Sequence, residues 1–319
     1  MENNLLNKIN NYNMNYDENL IKAKIETERI YAERKYIEDK YVHDEVYKLL
    51  TNDNSVMIGR FGGNEKTAFF SGISDPYPYH FWKKRKKFQE HWGMFYGAGF
   101  FPKNVNLLPS FAQEMIEACK QIDMIAVWKQ KYEDFLIEEY CKEDMTTCAL
   151  LTLGAHCNPD NSWTRALKGK KVLVVHPYKE TILSQYEKRE KLFKNSELLP
   201  EMDLMVMKSV QTIAGERDNR FRNWFEALDY MHEETQQFDY EIAIVGCGAY
   251  GFPLAARMKK DGKKVIHLGG VTQCMFGIMG NRWKDDRELL DVINPEYWVR
   301  PSADETPKNP DIIEHSCYW

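Results

Sequence analysis

The residues able to do chemistry in this chain gather where apolar runs stop. Residues 242–245 (Ile-Ala-Ile-Val) lead into Gly246-Cys247-Gly248-Ala249-Tyr250-Gly251-Phe252-Pro253, and Leu-Ala-Ala-Arg-Met follows. An apolar run feeding Gly-x-Gly-x-x-Gly and a helix-forming segment is the pattern of a parallel strand, a tight turn and a helix N-terminus. Bare N–H groups and the positive end of the helix dipole attract phosphate there. Pro253 suits a first helical turn, where its missing N–H costs nothing. Gly246, Gly248, Tyr250 and Gly251 are therefore candidate phosphate-binding residues. The alternative is a strand-to-helix turn with no ligand. A dinucleotide site would also need Asp or Glu about 20 residues on, at the end of the next strand. His267 stands at that place, which disfavours a nicotinamide or flavin.

Three more polar clusters follow apolar runs. After residues 55–59 comes Arg60-Phe61-Gly62-Gly63-Asn64-Glu65. Arg60 can neutralise a phosphate with its fork of donors. Glu65 can serve as base, metal ligand or acceptor of a sugar hydroxyl, or can simply favour the first turn of a helix. After residues 171–175 comes His176-Pro177-Tyr178-Lys179-Glu180-Thr181, where His176 can bind phosphate or move a proton. After residues 265–268 come Gly269-Gly270-Val271-Thr272-Gln273 and Gly280-Asn281-Arg282-Trp283. Adjacent glycines permit close approach, and Gln273 can hydrogen-bond a base or a sugar. Lys83, Lys84, Arg85, Lys86 and Lys87 form a basic run between aromatic residues, read either as a solvated face or as a contact with anionic lipid.

Composition narrows the classes. Net charge is −5 over 319 residues, so no global field draws the chain to nucleic acid. No apolar stretch reaches the ~20 residues of a spanning helix, and the Asn-rich start lacks a signal-peptide core, which points to a cytoplasmic location. The seven Cys include no Cys-x-x-Cys pair; reduced thiols are expected rather than a disulfide framework or structural zinc. Neither a Gly-x-Ser-x-Gly elbow, nor a Walker A sequence, nor His-Glu-x-x-His occurs.

The elements that must position these clusters alternate. Strands are expected at 55–59, 124–127, 149–153, 171–176, 204–207, 242–245 and 265–268. Helices are expected from 64 to about 70, and at 111–120, 179–193, 219–237 and 253–260. Residues 72–104 read as a long loop with one short helix. Alternation of this kind predicts an α/β fold: a Rossmann-like, mostly parallel sheet with helices on both faces. Residues 1–50 form an N-terminal helical extension whose first 19 residues, with eight Asn, are expected to fray. Residues 51–295 form the α/β domain. Residues 296–319, with Pro301, Pro307 and Pro310, form an extended strap.

Together the motifs resemble the GT-D-fold glycosyltransferases of bacterial glycan and polysaccharide clusters, over roughly residues 50–285. That family shows Arg-Phe-Gly-Asp-Gly-Glu near its start, where this chain has residues 60–65. It then shows a late glycine turn and a strand ending in Asp-x-Gly-His, where this chain has His267-Leu268-Gly269-Gly270. The family's Asp is Gly63 here, and its closing His is Gly270. The resemblance implies sugar transfer from a nucleotide-sugar donor to a glycan or lipid-linked acceptor, at the inner membrane face if the basic run touches lipid. It implies Glu65 as the first catalytic candidate, with His267 supplying polar function in place of the lost side chains. Arg60, Gly62, Gly63, Asn64, His176, Gly246, Gly248, Tyr250, Gly251 and Gln273 are the implied donor contacts. In the family the acidic pair goes with a divalent cation, Mn or Mg; with Gly63 in the pair, metal dependence stays open. A dinucleotide-dependent oxidoreductase and a non-catalytic nucleotide-sugar-binding subunit are the other readings.

Overall fold

The computed structural model describes residues 2–74 and 81–319, with side chains at 4–74 and 86–319. Its strands are β1 (Ile30–Tyr31), β2 (Arg34–Tyr36), β3 (Val56–Arg60), β4 (Met124–Val127), β5 (Thr146–Ala149), β6 (Lys171–His176), β7 (Asp203–Lys208), β8 (Ile242–Val245) and β9 (Lys264–His267). The described residues form one nine-stranded sheet in the order β1-β2-β5-β4-β3-β9-β8-β6-β7. Every pairing is parallel except β1 with β2. Val245 pairs with His267, and His176 pairs with Lys208. The C-terminal ends of the central strands thus come out level.

Helices cover both faces, because the central strands are apolar on both. Ala243 and Val245 face a core built with α4 (Gly63–Ser74), α7 (Leu108–Cys119), α11 (Trp224–Thr235) and α12 (Gly251–Lys260). Ile242 and Ile244 face the other core, with α3 (Asp39–Thr51), α9 (Lys179–Tyr186), α13 (Thr272–Met275) and α14 (Arg287–Val292). Period-two alternation along β8 sorts its side chains between these layers.

Several local expectations change. The N-terminal residues do not fray: α1 (Glu2–Asn15) docks through buried Ile9 and through Tyr12, whose hydroxyl donates to Asp134 at 2.6 Å and accepts from the Tyr132 N–H at 2.8 Å. After α2 (Glu18–Glu28), the N-terminal extension adds a hairpin to the sheet edge. Its turn passes through Ala32 (φ 49°) and Glu33 (φ 54°), so no glycine marked it. Arg34 holds it in place by donating to the carbonyls of Lys142 (2.7 Å) and Cys141 (3.1 Å), past the end of α8 (Glu133–Tyr140).

The strand expected at 149–153 ends at Ala149, where its partner β4 ends at Val127, and 151–153 is a helical turn. The stretch 72–104 carries α5 (Phe81–Glu90) and α6 (Trp92–Tyr96). The helix expected over 179–193 breaks after Tyr186 into a separate turn, α10 (Arg189–Leu192). The Tyr186 hydroxyl bridges the Met202 main chain there, donating at 2.8 Å and accepting at 2.7 Å. The helix expected over 219–237 starts at Trp224, capped by the Asn223 side chain accepting from the Glu226 N–H at 3.0 Å.

The strap is held by Glu305. Its buried carboxylate accepts from the main-chain N–H groups of Glu180 (2.7 Å) and Thr181 (3.3 Å) and from the Thr181 and Ser302 hydroxyls. It therefore caps the N-terminus of α9.

Candidate functional site

The chain leaves β3 toward β4. It leaves β9 the other way, toward the connection between β6 and β7, where Ile293 bridges to Phe193. Neighbouring parallel strands with diverging exits leave a crevice beyond their carboxyl ends. A cavity of about 610 Å³ lies there, and residues following each strand from β3 to β9 line it. Arg60, Gly62, Gly63, Asn64, Glu65, His176, Gly246, Gly248, Tyr250 and Gln273 all reach this one cavity. Gly251 and His267 do not line it.

Arg60, the last residue of β3, lines the cavity. Its guanidinium rests on the turn at Gly269, where a Cβ would meet it. It donates to the Phe61 carbonyl at 3.3 Å and, among the described residues, has no carboxylate partner. Glu65, in the first turn of α4, folds its carboxylate over Gly62 and fills the space a side chain there would need. Gly63 faces open space, with no heavy atom within 4 Å of where its Cβ would be. The Asn64 amide packs against Gly93 and Gly97.

The two histidines have different places. His176 lines the cavity and is neutral, its pKa pushed down to about 3 by burial. Its Nδ1 accepts from the Tyr178 N–H at 3.1 Å, so the proton sits on Nε2. His267 was the second catalytic candidate. It lies instead beneath the glycine turn, against Gly251, with 3% of its surface exposed. Its Nδ1 lies 3.2 Å from the Val245 carbonyl, which can only accept, so Nδ1 carries the proton. Burial, with the nearby Arg60 charge, pushes its pKa down to about 3. A neutral ring packed under the turn is placed to support that turn rather than to meet a substrate. A ribose hydroxyl at the end of β9 would find no carboxylate.

Much of the glycine turn is occupied by protein. The Ala98 carbonyl accepts from the Ala249 N–H at 3.0 Å and lies 2.8 Å from where a Gly248 Cβ would be. The Tyr250 ring turns into the core, stacked on Trp224 at 5.2 Å, and its hydroxyl meets Thr212 at 2.9 Å. Gln273 uses its amide to hold the strap, donating to the carbonyls of Ile278 (3.2 Å) and Tyr318 (3.1 Å). The N-terminus of α9, beside His176, is filled by Glu305.

Tyr318 on the strap also lines the cavity, as do three residues the sequence had not singled out: Trp128 and Gln130 after β4, and Ser209 after β7. Ser209 Oγ is buried and has no hydrogen-bond partner among the described residues. Each of these three follows an expected strand, so the rule that singled out His176 would also have found them.

A divalent cation held by an acidic pair does not fit these residues. Gly63 offers no ligand, which leaves Glu65 without the second member of the pair, and among the described residues no three His, Cys, Asp or Glu side chains gather as a metal site. No helix among the described residues is long and apolar enough to cross a membrane. Of the basic run, Lys83, Lys84 and Arg85 have side chains outside the described residues. Lys86 and Lys87 both approach Glu90, at 4.0 and 3.1 Å.

No family model and no curated protein matches the chain. Two solved structures resemble it, each at 13% identity and a TM-score of 0.44, over 75% of this chain and 79% of theirs. One is described as a selenomethionine-substituted domain of unknown function 1792. The other is described as the highly conserved domain of unknown function 1792, with a distinct glycosyltransferase fold. At that distance the chemistry has to be read from this chain's own cavity.

Proposed function

We propose that this chain is a glycosyltransferase, moving a sugar from a nucleotide-sugar donor to a glycan or lipid-linked acceptor. The observation that carries the reading is the cavity at the β3–β9 crevice, which joins an arginine with no carboxylate partner among the described residues to a glutamate on the next helical turn. Arg60 compensates the donor diphosphate, and the Nε2–H of His176 donates a further hydrogen bond. The bond from the sugar's anomeric carbon to the diphosphate breaks, and its electron pair leaves with the phosphate. The acceptor oxygen bonds to that carbon, and its proton passes to Glu65. Apart from this transfer, catalysis rests on positioning and on charge stabilisation at the leaving group.

A thermal-shift screen across UDP-, GDP-, CMP- and dTDP-sugars tests the donor class, because a ligand bound only by the folded chain raises its melting point. Glu65→Gln should abolish transfer and leave the melting point unchanged. Full transfer by that variant would refute the assignment. Binding without turnover in the wild type would point to a non-catalytic subunit.

A further inference from the structure

We infer that the indole of Trp128 is a stacking platform for a pyranose ring of the acceptor, with Gln130 and Glu65 hydrogen-bonding its hydroxyl edge; the word acceptor rests on the transferase reading. Trp128 lies at the cavity wall with 42% of its surface exposed. A tryptophan so exposed contributes little to a core, yet this one is anchored at both its ring and its main chain. Its Nε1–H donates to the Phe61 carbonyl at 3.1 Å. Its main-chain N–H and that of Lys129 donate to the Glu133 carboxylate at 3.2 and 2.7 Å. Glu133 is fully buried and also accepts from the Tyr31 hydroxyl at 3.3 Å.

The loop takes left-handed backbone to do this. Lys129 has φ 59° and Tyr132 has φ 75°, where non-glycine residues are disfavoured. A buried carboxylate and two strained residues thus fix one exposed aromatic face. Strain of that kind persists only where its surroundings over-determine it.

The neighbours define the ligand chemistry. Gln130 lines the same cavity, and its Oε1 accepts from buried Lys66 Nζ at 2.8 Å. An ammonium group can only donate, so the amide orientation is set, leaving its NH₂ group as the donor for a ligand. The Glu65 carboxylate lies over Gly62, the residue next to the carbonyl that anchors the indole. An aromatic face, an amide donor and a carboxylate acceptor therefore line one cavity. A pyranose presents an apolar C–H face and a rim of hydroxyls, which matches this set. Leu151, exposed at the same cavity, extends the apolar side.

Saturation-transfer NMR tests this on the full-length chain. The probes are methyl glycosides of glucose, galactose, mannose and N-acetylglucosamine, with uridine as the nucleobase control. Ring protons of at least one glycoside should receive saturation in the wild type. The signal should fall about fivefold or more in Trp128→Ala and persist in Trp128→Phe, which keeps an aromatic face. Gln130→Ala, which leaves the indole anchor intact, should weaken the same signal. Absence of any glycoside signal in the wild type overturns the inference. So does an equal signal in Trp128→Ala, or Trp128-dependent saturation of uridine. The melting-point screen with nucleotide-sugars is read separately: no shift there beside a Trp128-dependent glycoside signal would sink the transferase reading alone.

Discussion

Three glycines at the cavity should answer alanine in three ways. Gly63 would place a Cβ with nothing within 4 Å. Gly62 would place it against the Glu65 carboxylate, the free end of a flexible side chain. Gly246 would place it 2.6 Å from Thr272 Oγ1, 2.7 Å from the Gly269 carbonyl oxygen and 2.9 Å from His176 Cδ2. None of the three has positive φ, so space decides the outcome. Gly63→Ala gains part of the ~1 kcal/mol by which alanine exceeds glycine in a helix. Gly246→Ala overpacks a buried turn against a carbonyl that cannot rotate away, which costs about 2 kcal/mol. Unfolding entropy near 2.1 cal/mol/K per residue amounts to ~0.7 kcal/mol/K for a chain of this length. Calorimetry should therefore show Gly246→Ala melting about 3 °C lower and Gly63→Ala unchanged or about 1 °C higher. Gly62→Ala should hold its melting point but turn Glu65 out of place, lowering transfer about tenfold or more. Equal stability of Gly246→Ala and Gly63→Ala would refute the reasoning, because the turn would then have room the packing denies.

His43, His176 and His267 are buried with pKa values pushed down to about 4, 3 and 3, in each case chiefly by burial. The unfolded chain takes up those protons below pH ~6.5 while the folded chain does not. Stability should be complete above pH ~6.5 and fall toward pH ~4, at up to ~1.4 kcal/mol per pH unit for each histidine. Urea unfolding at about pH 7.5, 6 and 5 measures the slope, and His43→Asn should flatten it by one histidine's share. Glu305→Ala removes the charged cap of α9 and leaves the Glu180 and Thr181 N–H groups, the second of them buried, without their acceptor, costing about 2 kcal/mol. Limited proteolysis should then release the strap before the α/β core is cut.

The alternation of Val- and Ile-rich runs with helical segments made most of the sheet readable, because buried parallel strands leave an unmistakable apolar pattern. The parts that escaped depend on partners far along the chain. Residues 2–15 form a helix because Tyr12 finds Asp134 and Lys8 finds Glu139, at 2.6 Å in each case; an Asn-rich segment has no such preference of its own. The hairpin at 30–36 is fixed by Arg34 reaching carbonyls more than 100 residues away. The place of Trp128 after a strand was legible, but nothing local separates an exposed tryptophan from a core one. Its distinction comes from Glu133 and the Phe61 carbonyl.

A glycine in a sequence shows that a side chain is unwelcome without showing what excludes it. Around this cavity the excluding group is mostly protein: His267 at Gly251, the Ala98 carbonyl at Gly248, Arg60 at Gly269 and the Tyr318 ring at Gly270. The helix N-termini tell the same story, with Glu305 on α9 and Glu65 folded over the start of α4. Sequence reading assigned phosphate to exposed helix ends, each worth ~0.3–1 kcal/mol to a nearby anion. A guanidinium offers more, since a hydrogen bond to a charged group contributes ~1.5–3 kcal/mol. Arg60 stands among these occupied helix ends without a carboxylate partner in the described residues. An anion in the crevice can therefore pair with that guanidinium, which rests against the glycine turn after β9.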